Sequence, residues 1–330
     1  MKAAYIEQTG SPEMIQFGDL PAPDLQPGQV LVQVGAVAVN PIDTYIRAGA
    51  NYWELPQPYV LGSDLAGTVV QVAEGVSDLK VGDRVWGSNQ GLLGRQGVFA
   101  ELAAVDAHWL YPTPDNVSDE HAAACALVGI TAHLGLLGRV KFSPSETILV
   151  RGGAGGVGSM VVQMAKAIDA QVITTAGGPE KAQLCKQLGA DHVIDYRSQD
   201  LQQAVRDIAP NGVNVFWETL REPDFDLAVN CLAERGRMVL MAGRDARPEF
   251  PVGPFYVKGC SLHGFVMFKA SPEEQRAAAQ DINHWLATGR LNAVIDRVMP
   301  LNQAAEAHRL QEAHTVGKQS TLQGKIVLTP

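Results

Sequence analysis

A chain of 330 residues is longer than one compact core usually holds, so two domains are expected. Its 46% hydrophobic and 18% charged residues suit a soluble globular protein. A formal charge of −9 argues against nucleic acid or an anionic membrane as the main partner. No basic-then-apolar leader is read at the N-terminus, and no apolar run approaches the ~18 residues of a membrane span, so a cytoplasmic location is expected. Cys125, Cys185, Cys231 and Cys260 are scattered, with no C-x-x-C pair. That pattern suits reduced, buried thiols better than disulfides or a structural zinc.

In chain order, the first 120 residues read as β-rich. Strand-like runs are Ala3–Glu7, Val30–Val39, Gly67–Val72, Arg84–Trp86 and Phe99–Val105, punctuated by prolines and glycines. Lys80-Val-Gly-Asp-Arg-Val85 is a turn entering a strand. From Ser118 the pattern becomes helical: Ser118 is a candidate N-cap, Ala122–Leu127 supplies an apolar face, and a second helix is expected over Thr131–Leu137.

Thr147–Arg151 then reads as a short buried strand, followed by Gly153, Gly155 and Gly158 in the spacing G-x-G-x-x-G and by an apolar helix, Ser159–Ala170. Strand, glycine turn and helix in that order suit a dinucleotide pyrophosphate. Glycines allow a tight turn and close backbone approach, and the helix N-terminus offers unpaired N–H groups to the negative charge. Gly153, Gly155, Gly156, Val157 and Gly158 are therefore candidate cofactor contacts. Strands Gln171–Thr175, His192–Ile194, Val213–Glu218, Gly236–Met241 and Ser261–Phe265 alternate with helices, which predicts a doubly wound parallel Rossmann sheet in an α/β protein. The tail holds helix Pro272–Thr288, strand Val294–Met299, helix Gln303–Gln311 and strand Lys325–Leu328. It is expected to return and complete the first domain.

An NAD-preferring site usually carries Asp or Glu about 20 residues beyond the glycines, to bind the ribose hydroxyls. Here that place is Thr174-Thr-Ala-Gly-Gly178, without a carboxylate, while Lys181 follows and Tyr196-Arg197 ends the next strand. The pattern favours NADP(H), with Lys181 and Tyr196 as cofactor candidates.

Several strings resemble the zeta-crystallin-type quinone oxidoreductases, zinc-free members of the medium-chain dehydrogenase/reductase superfamily. They are Val39-Asn-Pro-Ile-Asp-Thr-Tyr-Ile-Arg-Ala-Gly49, Pro58-Tyr-Val-Leu-Gly-Ser-Asp-Leu-Ala-Gly67, Val81-Gly-Asp-Arg-Val85, Gly152–Gly158, Lys181-Ala-Gln183, Gly189-Ala-Asp191 and Gly324-Lys-Ile-Val-Leu328. The resemblance implies a GroES-like, partly open β-barrel domain built from residues 1–124 and a return segment, 267–330. Between them it implies a Rossmann NADP-binding domain at 125–266. It also implies a homodimer, or a tetramer, pairing near the edge strand at Ser261–Gly264.

The superfamily's alcohol dehydrogenases carry a zinc-ligating cysteine near Asn40–Asp43 and a Gly-His-Glu where this chain has Gly62-Ser63-Asp64. Their structural cysteine lobe would fall in the thirteen residues between Val85 and Phe99, none of which is Cys. No metal is expected. Without a Lewis acid, alcohol oxidation is disfavoured and reduction of an electron-poor acceptor is favoured. The resemblance therefore implies an enzyme that transfers a hydride from nicotinamide C4 to a quinone. Reduction of the C=C bond of enals and enones is the alternative, and a nucleotide-binding structural protein with little turnover is a third reading.

Asn40, Tyr45 and Asp43 are the implied catalytic candidates: Asn40 to bond the acceptor carbonyl, Tyr45 to stack on it or donate to it, and Asp43 either catalytic or fixing the turn. Tyr52, Phe265 and Met267 are candidates for acceptor binding, with Phe268 extending the apolar wall. Thr131, Glu218, Gly243, Phe265 and Lys325 match family positions near the cofactor or end the strands that face it.

Overall fold

The computed structural model of the chain describes residues 1–50, 53–317, 319 and 322–330. Two compact units result: Met1–Ile130 with Ala270–Pro330, and Thr131–Lys269.

The first unit opens with β1 (Lys2–Ile6), β2 (Gln16–Asp19) and the ten-residue β3 (Gln29–Ala38). Val30, Val32 and Val34 of β3 are buried at every second position, as a strand with one face on a core requires. A short helix α1 (Pro41–Arg47) follows, with Pro41 in its first turn, where a missing N–H costs nothing. Then come β4 (Tyr59–Val60), β5 (Asp64–Val72), β6 (Arg84–Gly87), β7 (Leu102–Asp106) and β8 (Leu110–Pro112).

Helix α2 (Asp119–His133) starts at Ser118, whose Oγ accepts from the His121 N–H at 3.4 Å. Where the sequence suggests two helices there is one. Nothing between Leu127 and Thr131 breaks the ladder, and α2 runs on into a π-helical turn over Leu134–Arg139. Val140 N donates to Gly135 O across that wide turn at 3.0 Å. A β-carbon on Gly135 would overlap the Trp217 ring, so a glycine lets the helix lie flat against it. The combined helix Asp119–Arg139 is long and apolar enough to cross a membrane, contrary to the sequence reading, but 78% of its most apolar window is buried inside the protein. It is a core helix by that measure.

The second unit continues with β9 (Thr147–Val150), α3 (Gly156–Ala167), β10 (Gln171–Ala176), α4 (Pro179–Gln187), β11 (His192–Asp195) and α5 (Leu201–Ile208). It closes with β12 (Val213–Glu218), α6 (Phe225–Cys231), β13 (Leu232–Leu240), α7 (Val252–Val257) and β14 (Ser261–Gly264). All six strands pair in parallel in the order β11-β10-β9-β12-β13-β14, so the strand order reverses between β9 and β12, where ligands approach such sheets. β14 lies at the edge. Leu149, Ile173, Phe216 and Met238 carry the core on one sheet face under α5 and α6.

The return segment adds α8 (Pro272–Ala287), β15 (Ile295–Pro300), α9 (Ala304–Thr315) and β16 (Lys325–Thr329) to the first unit. Ser271 caps α8, accepting from Glu274 N at 3.2 Å while Glu274 accepts from Ser271 N at 2.9 Å. The main sheet there runs β15-β16-β3-β5-β6-β8, with β7 also on β3, and a second sheet runs β2-β1-β4. Cys125, Cys185 and Cys231 are buried and Cys260 half-buried, all as free thiols.

Candidate active site

In the nucleotide-type unit the loop after β9 is built almost without side chains. Gly152, not Gly153, takes the left-handed conformation, φ +77°, which makes the turn. Gly152 N donates to Thr175 Oγ1 at 3.0 Å, and Thr174 Oγ1 donates to Val150 O at 2.8 Å, so β10 holds the loop from the side. A β-carbon on Gly153 would overlap Thr174 Oγ1, and one on Gly158 would overlap the Gly152 carbonyl oxygen. The N-cap of α3 is Gly155, with no side-chain cap and no acidic residue in the first turn. The N–H groups of Gly156, Val157 and Gly158 therefore open the helix unclaimed by a capping side chain, and a diphosphate fits there. Gly152, Thr174 and Thr175 are contributions the glycine spacing alone does not single out.

β10 ends at Ala176 without a carboxylate, and Gly177 lies directly against the Tyr196 hydroxyl and Arg197 Nε. A β-carbon on Gly178 would sit 3.6 Å from Arg197 Nη1. Tyr196 is half exposed, and Lys181 stands half-buried in the first turn of α4. A phenol and a guanidinium lie beside two glycines, where a ribose 2′-phosphate has donors available.

Glu218 ends β12 fully buried. Its carboxylate lies 3.3 Å from Arg151 Nη1 and accepts from Leu220 N at 2.8 Å. Burial pushes its pKa up, and Arg151 opposes that shift. Gly243 has φ +81° and lies against the Arg221 carbonyl, leaving no room for a side chain. Phe265 is half-buried, its Cε1 3.0 Å from where a β-carbon on Gly135 would stand. Met267 is buried in a short 3₁₀ turn with Phe268, and Thr131 is buried on α2. Tyr52 lies outside the described residues.

The first unit holds a second polar cluster, where three strand ends meet. Ala38 is paired both with Asp64 and with Val327, which brings the end of β3 beside the starts of β5 and β16. Asn40, Asp43, Ser63, Asp64 and Lys325 are all buried there. Asn40 N donates to Asp43 Oδ2 at 2.8 Å, fixing the start of α1. The Asn40 carboxamide is spent internally: Nδ2 donates to Asp64 Oδ2 at 2.7 Å and to Ala38 O at 3.4 Å, and Oδ1 accepts from Lys325 Nζ. Lys325 Nζ also donates to Val39 O at 2.8 Å and lies 3.9 Å from Asp64 Oδ2. The Ser63 hydroxyl donates to Asp43 Oδ1.

Burial pushes the Asp43 carboxyl up to about 7, reinforced by the negative charge of Asp64 and opposed by Ser63 and Lys325. Asp64 is also raised by burial, with Lys325 as its main counterweight. Lys325 is lowered by burial, against the pull of Asp64 and Asp43. Tyr45 is half-buried on α1, one turn beyond the cluster. Sequence reading missed Ser63 and Asp64 as members of this cluster. The partners Asn40 and Lys325 stand 285 residues apart, and no local pattern links them.

This donor set does not suit zinc. It offers no imidazole, burial holds the neighbouring Cys125 as a thiol by pushing its pKa up to about 12, and the ammonium of Lys325 already stands where a cation would balance Asp64. Among the described residues no three His, Cys, Asp or Glu side chains converge.

Residues 26–115 match the alcohol dehydrogenase GroES-like domain, and residues 156–283 match the zinc-binding dehydrogenase domain. The second match lies wholly outside the Asn40–Asp64 cluster. The chain is 32% identical over 310 residues to the quinone oxidoreductase of Sus scrofa, covering 93% of each. Among solved structures it is similar to an NAD-dependent alcohol dehydrogenase, with TM-score 0.90 and 29% identity over all of both chains. It is likewise similar to Escherichia coli quinone oxidoreductase complexed with NADPH, with TM-score 0.86 and 29% identity over all of both chains.

Proposed function

We propose that this chain, which belongs to the quinone oxidoreductase family of the medium-chain dehydrogenase/reductase superfamily, is an NADPH-dependent oxidoreductase that reduces quinones without zinc. The observation that carries the cofactor half is the Tyr196–Arg197 pair closing on Gly177 and Gly178 with no carboxylate at the end of β10. When bound, NADPH supplies the hydride. The protein's own contribution begins with Gly152, Gly153 and Gly158, which keep side chains out of the diphosphate's way. The α3 N-terminus binds the diphosphate charge, and Arg197 with Lys181 binds the 2′-phosphate.

The acceptor half rests on the donor set. An electron-poor quinone needs no Lewis acid to take a hydride; it needs orientation, exclusion of water and a hydrogen bond to the oxygen that gains charge. Tyr45 supplies that bond or stacks on the ring. Asn40 works indirectly, because its carboxamide is committed to Asp64 and Lys325.

Steady-state oxidation of NADPH with 1,2- and 1,4-quinones, run beside small enones, tests the reading. Faster turnover of quinones supports it. Faster turnover of enones makes C=C reduction the activity, and turnover with neither class leaves a nucleotide-binding protein of another role.

A further inference from the structure

The cluster around Lys325 is costly for a merely structural device. Two carboxyls and an ammonium are withdrawn from water, and a buried ion pair of this kind is rarely more stable than an apolar replacement of the same shape. Its position gives it a use. Val39 and Asn40 lead directly from β3 into α1, and the ammonium holds both, through the Val39 carbonyl and the Asn40 carboxamide oxygen. Asn40 in turn donates its amide N–H groups to Asp64 and Ala38 and its backbone N–H to Asp43. Two of the Lys325 protons are thereby assigned, and the third faces Asp64. The ionisable groups facing Lys325 are Asp64, Asp43 and Cys125. No donor is left over for a phosphate.

We propose that Lys325 is a positioning residue of the acceptor site, an internal cation that balances Asp64 and, through Asn40, fixes the start of α1 and so the setting of Tyr45. The proposal rests on the quinone-reductase reading for the role of Tyr45. Lys325 therefore acts on acceptor use and not on cofactor affinity, which separates it from the expectation that this lysine contacts NADPH.

The test uses the full chain with Lys325→Ala and a 1,4-benzoquinone as acceptor. The KM for quinone rises by roughly tenfold, in line with the sensitivity of transfer reactions to small misplacements, while the NADPH dissociation constant is unchanged. Amide hydrogen exchange over residues 41–47 quickens. Methylammonium, small enough for the space the side chain leaves, restores both KM and protection in a saturable way, and tert-butylammonium does not. Tyr45→Phe has less effect in the Lys325→Ala background than in the wild type, because the two residues act through one helix.

Should Lys325→Ala fail to fold, the neutral pair Lys325→Met with Asp64→Asn removes both charges together and keeps the volume; raised quinone KM at unchanged NADPH affinity is expected again. A collapse of NADPH affinity overturns the proposal in favour of a cofactor contact. Unchanged KM and unchanged exchange over 41–47 overturn it outright. Absence of quinone turnover in the wild type sinks only the quinone reading; the exchange and methylammonium measurements still decide for or against Lys325 as the anchor of α1.

Discussion

Gly153 lies so close to Thr174 on the neighbouring strand that a β-carbon would overlap the threonine hydroxyl oxygen. That hydroxyl is itself fixed, donating to Val150 O at 2.8 Å. Gly153→Ala must therefore push the loop off β10, and NADPH affinity falls with it. Gly153→Ala combined with Thr174→Ala regains part of the loss, since the overlapping oxygen is gone. Gly158→Ala regains nothing in the same background, because its obstacle is the Gly152 carbonyl oxygen, which is backbone. NADPH titration of the two single and two double variants checks the order; equal affinity for all four would refute this account of the loop.

The Tyr196–Arg197 lid gives the second prediction. Arg197→Ala removes a charged donor next to Gly177 and Gly178. Hydrogen bonds to charged groups contribute about 1.5–3 kcal/mol, so NADPH affinity drops by roughly one to two orders of magnitude. NADH, which lacks the 2′-phosphate, keeps its affinity. Fluorescence titration with the two nucleotides separates the cases, and a parallel loss of NADH would show that Arg197 merely supports the loop.

Tyr45→Phe removes one hydroxyl from α1 and no group of the Asn40–Asp64–Lys325 cluster itself. Quinone kcat/KM falls by up to about tenfold, the scale of one neutral hydrogen bond of about 0.5–1.5 kcal/mol, with NADPH binding intact. Asn40→Ala behaves differently, because it strips a partner from Asp64 and from Lys325 at once. Leaving buried polar groups unsatisfied costs about 1–3 kcal/mol, so the melting temperature drops along with quinone turnover. Thermal melts and steady-state kinetics on both variants check the contrast.

The two halves of the site were legible to different degrees. The parallel sheet and its glycine loop follow from local signals: a four-residue apolar strand, glycines at fixed spacing and an apolar helix lie next to one another in the chain. The missing carboxylate after Thr175 is equally local. What the local pattern leaves open is which glycine makes the turn, because the same run of glycines allows φ +77° at Gly152 as readily as at Gly153. The Asn40–Asp64–Lys325 cluster is of the other kind. Its members open or follow three strands, and Lys325 joins the other two only because the C-terminal segment returns to the first unit. Periodicity says nothing about such a meeting, so Asn40 reads from the sequence as a group free to face a substrate, while its carboxamide is in fact spent on two buried charges. The helix after Ser118 shows a third limit: two helices are expected, but Gly129 between them costs a well-buried helix only about 1 kcal/mol, and packing keeps the helix whole.

Asp43 and His308 give the last prediction, because they pull stability in opposite directions over nearly the same pH range. Burial raises the Asp43 carboxyl from 3.8 to about 7, so between those values the folded protein binds a proton that the unfolded chain releases, and stability falls as pH rises. His308 is fully buried against Phe99, and burial beside Arg47 lowers it from 6.5 to about 3. Between those values the unfolded chain holds the extra proton, so stability rises with pH. Each slope is at most about 1.4 kcal/mol per pH unit, and from about pH 4 to 6.5 they offset one another. Asp43→Asn, which keeps the size, an acceptor for Asn40 N and a donor for the Ser63 hydroxyl, removes one side of this balance, so its stability falls more steeply than the wild type's on acidification across that window. His308→Gln does the reverse and gains stability relative to the wild type as pH falls. Urea denaturation midpoints from pH 4 to 7.5 read both slopes, and parallel curves for the wild type and the two variants would show that neither group titrates inside the fold.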